Sequence, residues 1–325
     1  RRTILLAAFC TPPWRSLLWA SKRGSSPRRM TAAATVSTIP RGMPLDAEPR
    51  YVSVLSYNLL APAFVRPVDL RTGEIQPFAA FQWASEEDLD WETRKRKLLE
   101  QLRSWHADVV CLQEVQFHTE PDGSFSLPEW IEELEGYTAC LPGDKYLTQI
   151  ADRNERVLAN RVAVGCALLF RSDRLVRSSR EEAGGDPNTL VCACLEGRPE
   201  SDLRCLESTA FFSVHLDAQS EEKRVDQLRK CLDKARALGT RDAIFAGDFN
   251  TECLPGSCVR AFISPEQPSD ADMLRECASA LRIASAEDAQ HDARADDERP
   301  ESVPEPSEEK LEQWKLLWEK VRVVR

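Results

Sequence analysis

Short apolar runs that end in one or two polar side chains recur along this chain. Tyr51-Val-Ser-Val-Leu-Ser-Tyr-Asn58 alternates in polarity and ends in Asn58; in Asp108-Val-Val-Cys-Leu-Gln-Glu-Val115 the apolar run gives way to Gln113 and Glu114. Glu207-Ser-Thr-Ala-Phe-Phe-Ser-Val-His-Leu216 carries His215 near its end, and Ala243-Ile-Phe-Ala-Gly-Asp-Phe-Asn250 breaks at Gly247 to present Asp248 and Asn250. Each pattern predicts a strand with a polar tip. Arg161 to Phe170 is mostly apolar and predicts a central strand. Leu190 to Glu196 and Glu207 to Leu216 flank a loop of Gly, Pro and charges, which predicts an antiparallel pair.

Between these runs the apolar spacing becomes helical. Asp90 caps a helix through Trp105 whose stripe is Trp91, Leu98, Leu102 and Trp105, with Arg94, Lys95, Arg96 and Lys97 expected to face mostly solvent. Pro128 to Glu135 predicts a short helix closed by Gly136. Ser220 caps a longer one with Val225, Leu228, Leu232, Ala235 and Leu238 on one face and Gly239 behind it. Ala61 to Asp88 is a long connection with three prolines, either a substrate-side loop or disordered. Beyond Asn250, Val259 to Ile263 and Asp272 to Leu281 suit helices.

Composition divides the chain further. Residues 1–45 carry eight Arg or Lys and no acid, whereas the net charge of the 325 residues is −10. That leader has the composition of an organelle transit peptide, and the alternative is an untranslated stretch ahead of Met30; either way it is expected to be disordered and outside the fold. The compartment is then mitochondrial or plastid if the leader is genuine, and cytoplasmic otherwise. Residues 50–285 form the expected globular domain. Residues 286–309 are acidic and contain prolines, an expected disordered insertion, and 310–325 form an amphipathic helix. An acidic domain is a poor sequence-blind binder of nucleic acid, but it can act on phosphates if a divalent cation supplies positive charge. Neither the eleven Cys nor His106, His118, His215 and His291 have zinc-ligand spacing. No apolar run reaches the length of a membrane span.

One polar strand tip is ordinary; Asn58, Glu114, His215 and the Asp248/Asn250 pair, in this order, make a site. Asp and Asn are disfavoured in strands, and the C-terminal strand ends of α/β sheets are where ligands sit. Glu, Asp and Asn offer hard oxygen ligands to Mg²⁺ or Mn²⁺, and His can donate to a phosphate oxygen or a leaving group. The set suits metal-assisted hydrolysis of a phosphate ester, with Asp248 orienting or deprotonating water and Asn250 positioning phosphate.

Ser56-Tyr-Asn58, Leu112-Gln-Glu-Val115, Val214-His-Leu216 and Gly247-Asp-Phe-Asn250 resemble the successive motifs of the endonuclease/exonuclease/phosphatase superfamily. Leu89-Asp-Trp-Glu-Thr-Arg94 and Gly165-Cys-Ala-Leu-Leu-Phe170 resemble its nocturnin and Angel type deadenylase branch. The resemblance covers about residues 51–262. It implies a four-layer α/β sandwich of two packed mixed sheets flanked by helices. It further implies Mg²⁺ held by Glu114, Asn58 and Asn250 as phosphate- or metal-positioning groups, His215 as a phosphate contact and Asp248 as the residue that activates water. The implied substrate is an RNA 3′ end or an adenylate-containing nucleotide. The family closes its site with a further Asp and a Ser-Asp-His motif. After Asn250 this chain has His291 alone among acids, and Ser269-Asp270 without a following His. The expectation is a chain that lacks the C-terminal part of the sandwich, with 310–325 as its beginning. The alternatives are an inactive paralogue that keeps a binding role, and a member acting on a non-RNA phosphate.

Overall fold

Alternation within two strands explains how the layers are stacked. In β10 (Thr209–His215), Ala210, Phe212 and Val214 point to one side and Phe211 and Ser213 to the other, all buried. In β3 (Val109–Gln116), Val110 and Leu112 point outward to helices, while Val109 and Cys111 point inward to the second sheet. Strands buried on both faces need a layer on each side, which a sandwich of two sheets with outer helices supplies.

The computed structural model describes residues 4–8, 51–65, 72–74, 84–178, 190–204, 206–240 and 242–251. Its remaining elements are β1 (Ile4–Ala8), β2 (Val54–Asn58), α1 (Pro62–Val65), α2 (Glu86–Leu89), α3 (Trp91–Trp105), β4 (His118–Thr119), β5 (Phe125–Ser126), α4 (Glu129–Glu132), β6 (Tyr137–Cys140), α5 (Asp144–Leu158), β7 (Val164–Arg171), β8 (Leu175–Arg177), β9 (Leu190–Gly197), α6 (Glu221–Ala237) and β11 (Asp242–Asp248). One sheet has the order β1-β11-β10-β9-β8 and the other β2-β3-β7-β6. Both are mixed: β1/β11, β11/β10 and β2/β3 are parallel, and the other pairs of these two sheets antiparallel. Between the sheets lie Cys111, Cys166, Leu168 and Phe170 against Val191, Ala193, Leu195, Phe211 and Ala246. The four-stranded sheet is covered by Leu98 and Leu102 of α3, Ile131 of α4 and Leu147 and Ala151 of α5. Val225, Leu228, Cys231 and Leu232 of α6 cover the five-stranded sheet. The result is the expected four-layer α/β sandwich of two mixed sheets.

The expected caps form. Asp90 accepts from Thr93 N at 2.7 Å, and Ser220 accepts from Lys223 N at 3.3 Å, so each helix start has one otherwise orphaned donor satisfied. Among the described residues no helix is long and apolar enough to cross a membrane.

Three expectations change. The leader was expected to stand wholly outside the fold, yet its Ile-Leu-Leu-Ala-Ala run, apolar enough for a strand, pairs in parallel with β11, Ile4 opposite Ala243 and Ala8 opposite Gly247. Gly247 does not break its strand. It lies within β11, where a Cβ would stand 1.9 Å from the Val214 carbonyl oxygen, so the close approach to β10 admits only glycine. Arg94 is not solvent-facing. It is 4% exposed, because positions 91, 94, 98, 102 and 105 follow one helical stripe. The regions expected as helices, acidic insertion and amphipathic segment beyond residue 251 lie outside the described residues, as do most of 66–83.

Candidate active site

Glu114 owes its position to an extra residue. Leu112 pairs with Ala167 and Val115 with Gly165, so three steps on β3 span two on β7. The extra residue is a β-bulge with Glu114 in the left-handed region at φ 55°. A non-glycine residue there costs about 1–2 kcal/mol. The bulge also inverts the strand's parity: Val115 rejoins Val110 and Leu112 on the outer face, where uninterrupted alternation would turn it inward. Glu114 is thus turned out of the ladder into the gap between the ends of the two sheets. Gln113, expected as part of the polar tip, instead points into the core. It is 1% exposed, and its Nε2 donates to Ser213 Oγ at 3.1 Å and Cys111 O at 3.0 Å. Ser213 Oγ in turn donates to Leu112 O at 3.0 Å, so one polar bridge ties β3 to β10 directly behind the site. Cys166 contacts the same hydroxyl, and burial pushes its thiol up to about 12.

The sequence-predicted tips converge. Asn58 Nδ2 donates to Glu114 Oε1 and to Asp248 Oδ2, both at 2.9 Å. Asn58 Oδ1 accepts from Leu60 N at 2.9 Å, which fixes the orientation of the side-chain amide. Ala61 N donates to the other Glu114 oxygen at 3.0 Å. His215 sits opposite Asp248 in the parallel register of β10 and β11, with Nε2 3.9 Å from Glu114 Oε1. Asp248 Oδ1 accepts from Asn250 N at 2.9 Å, and Asn250 Nδ2 donates to Leu216 O at 2.8 Å, with Asn250 at φ 49°. Asn58, Glu114, His215, Asp248 and Asn250 therefore form one connected cluster at the C-terminal ends of strands from both sheets.

Sequence reasoning missed the residue that ties this cluster to the helical layer. Arg94 donates through one guanidinium nitrogen to Leu59 O at 2.8 Å and Leu60 O at 2.7 Å. Its guanidinium carbon lies 5.5 Å from the centroid of Trp91, one helical turn earlier. The other terminal nitrogen is buried without a hydrogen-bond partner, an arrangement costing about 1–3 kcal/mol. Burial lowers the Arg94 pKa from its ordinary value, and the nearby Glu114 carboxylate opposes that. The Trp-x-x-Arg spacing was the available signal, since it puts Arg on the apolar stripe.

Two carboxylates bridged by a single amide nitrogen hold negative charge that one Asn does not neutralise. Among the described residues no group of three or more His, Cys, Asp or Glu forms a ready-made cage. The donor set fits a hard divalent cation that takes one or two carboxylates and keeps several waters, as Mg²⁺ does. The Asn58 amide nitrogen donates to both carboxylates, so Glu114 and Asp248 are the groups that would offer anionic oxygens to such an ion.

Residues 55–261 match the Endonuclease/Exonuclease/phosphatase family. Nocturnin of Xenopus laevis is 30% identical over 216 residues, which are 63% of this chain and 49% of that protein. The CCR4-Not complex 3′-5′-exoribonuclease subunit Ccr4 of Candida glabrata is 33% identical over 104 residues, 32% of this chain and 10% of that protein. Among solved structures, ANGEL2, a 2′,3′-cyclic phosphatase, is 20% identical with a TM-score of 0.45, over 65% of this chain and 56% of that one. The chain thus spans about half or less of the length of these two sequence relatives. The family match runs through β2, β3, β7, β10 and β11 and takes in every residue of the cluster, and the chain belongs to the Endonuclease/Exonuclease/phosphatase family.

Proposed function

We propose that this chain hydrolyses phosphodiester bonds at RNA 3′ ends, in the manner of a poly(A) exoribonuclease, with Mg²⁺ or Mn²⁺ as the activating cation. The observation that carries the reading is the Asn58 amide held 2.9 Å from both Glu114 Oε1 and Asp248 Oδ2, with His215 beside the same Glu114 oxygen. Family membership supports phosphate ester hydrolysis. The RNA 3′ end is supported by similarity to the CCR4-Not complex 3′-5′-exoribonuclease subunit Ccr4.

Glu114 would hold the cation, with Asp248 as the second anionic group of the pair. When bound, the cation supplies charge that polarises a phosphoryl oxygen and lowers the pKa of a water molecule. Asp248 takes the proton of the attacking water, its carboxylate fixed at one oxygen by Asn58 and at the other by the Asn250 backbone. Asn250, braced on the Leu216 carbonyl, positions the phosphate, and His215 donates to a phosphate oxygen. The water oxygen forms a bond to phosphorus, and the bond to the preceding nucleotide's 3′ oxygen breaks. That oxygen leaves as a hydroxyl after taking a proton, and a 5′-adenylate is released.

A 3′-oligoadenylate RNA incubated with the chain and Mg²⁺ is expected to shorten one nucleotide at a time, and chelation is expected to stop it. Intact RNA with either cation, or faster turnover of an inositol or sphingolipid phosphate in parallel, would refute this substrate.

A further inference from the structure

Arg94 stands apart from the cluster in sequence and touches none of its side chains, yet three observations connect it to them. Its side chain is 4% exposed and spends two charge-assisted hydrogen bonds on consecutive carbonyls, Leu59 O and Leu60 O. Those carbonyls belong to a turn with Leu60 in the left-handed region at φ 54°, a conformation a leucine does not hold unaided. The amides of this turn face the cluster: Leu60 N donates to Asn58 Oδ1, and Ala61 N donates to Glu114 Oε2.

We infer that Arg94 is a positioning residue for the cation and phosphate site, acting by clamping the Asn58 to Ala61 turn so that its amides fix Asn58 and Glu114. The inference rests on the functional reading above, but concerns how the site is assembled. A core position that needed only filling would take Leu or Met, without a buried nitrogen that lacks a partner. The Trp91 ring, on the same helix, lies 5.5 Å from the guanidinium carbon. The clamp therefore transmits the position of α3 to the site.

Clamping and simple charge make opposite forecasts. If Arg94 acted on the site by its charge alone, neutralising it would tighten the binding of a divalent cation, because a positive charge near Glu114 is removed. If it acts by positioning, the same change weakens binding by about 10–100-fold, as loss of an outer-shell support does. The experiment uses the full chain as Arg94→Met and Arg94→Lys. Mg²⁺ binding is measured by calorimetry, and amide hydrogen exchange is followed at residues 58–61 and in β3 and β10. Expected for Arg94→Met is faster exchange at Leu60 and Ala61 with unchanged core strands, together with weaker Mg²⁺ binding. Arg94→Lys, which reaches one carbonyl but not both, is expected to fall between. Tighter or unchanged Mg²⁺ binding, or unchanged exchange at 58–61, overturns the inference. Uniform loss of protection across β3 and β10 in both variants also overturns it, by making Arg94 a general core residue. A wild-type chain inactive on every phosphate ester, but with exchange at Leu60 and Ala61 that follows Arg94, would defeat the proposed activity and leave the clamp standing.

Discussion

Asn58 and Asp248 stand 190 residues apart in the chain and are joined by a hydrogen bond of 2.9 Å from Asn58 Nδ2 to Asp248 Oδ2. Since the same nitrogen also reaches Glu114 Oε1, the amide separates two carboxylates that would otherwise repel. Asn58→Asp replaces that donor with a third carboxylate of the same shape. It is expected to lower stability in chelator by about 1–3 kcal/mol, with much of the loss recovered in saturating Mg²⁺. Denaturant melts with and without the cation test this, and equal losses in both conditions would contradict it.

Gly247→Ala is expected to be costly for a steric reason alone, since its φ lies outside the left-handed region while a Cβ would stand 1.9 Å from the Val214 carbonyl oxygen. Relief requires β10 and β11 to separate where His215 and Asp248 are paired. The expected loss is about 1–3 kcal/mol or more in chemical denaturation. A variant as stable as the parent would show that the strands yield easily.

Asp248→Ala is expected to reduce turnover of a 3′-oligoadenylate by roughly 10²–10⁴-fold while changing its binding little, because the carboxylate acts on water and not on recognition. Glu114→Gln is expected to shift the Mg²⁺ dependence of turnover to higher concentration. Steady-state kinetics with a cation titration separates the two, and unchanged turnover in either variant would contradict its assigned role.

The Gln113 and Ser213 pair offers a test away from the reacting groups. Ser213→Ala leaves Gln113 Nε2 with Cys111 O and removes the donor to Leu112 O, for an expected loss of about 1–3 kcal/mol. A double-mutant cycle with Gln113→Leu is expected to show coupling of roughly 0.5–3 kcal/mol. Additive losses would mean that the bridge does not act as a unit.

The Cys166 thiol is held at about 12 by burial, and burial raises that of Cys111 as well. In the unfolded chain such thiols lose their protons near pH ~8.5. Between that value and the folded one the unfolded state binds fewer protons, so stability falls as pH rises through this window and is unaffected below it. Iodoacetamide at mildly alkaline pH is expected to spare both cysteines until denaturant is added.

Much of the fold was legible because its strands are short apolar runs with distinctive ends, and because Asp90 and Ser220 sit where helices must begin. The helix over Asp144–Leu158 was absent from the sequence-based expectation. Its buried stripe of Leu147, Ala151, Asn154 and Leu158 includes Asn154, whose amide donates to Val162 O, and a polar residue on the core face blurs the apolar period. Among the candidate residues, Asn58, Glu114, His215, Asp248 and Asn250 could be named from strand-tip polarity. Their connection could not, since a bulge has no composition of its own and shows only in the register of β3 against β7. At Arg94 charge and helical period give opposite answers, and the period places the side chain on the buried face.

The same bulge sets two demands on chain length against each other. Removing Glu114 itself would close the ladder with β7 and relieve its left-handed backbone while leaving Gln113 in its bridge to Ser213, but would take away the acid that Asn58 holds. A screen for thermal tolerance alone would therefore favour the shorter strand, while a screen for phosphate ester hydrolysis would reject it. Single-codon deletions at this point are where selection for robustness and selection for chemistry part ways.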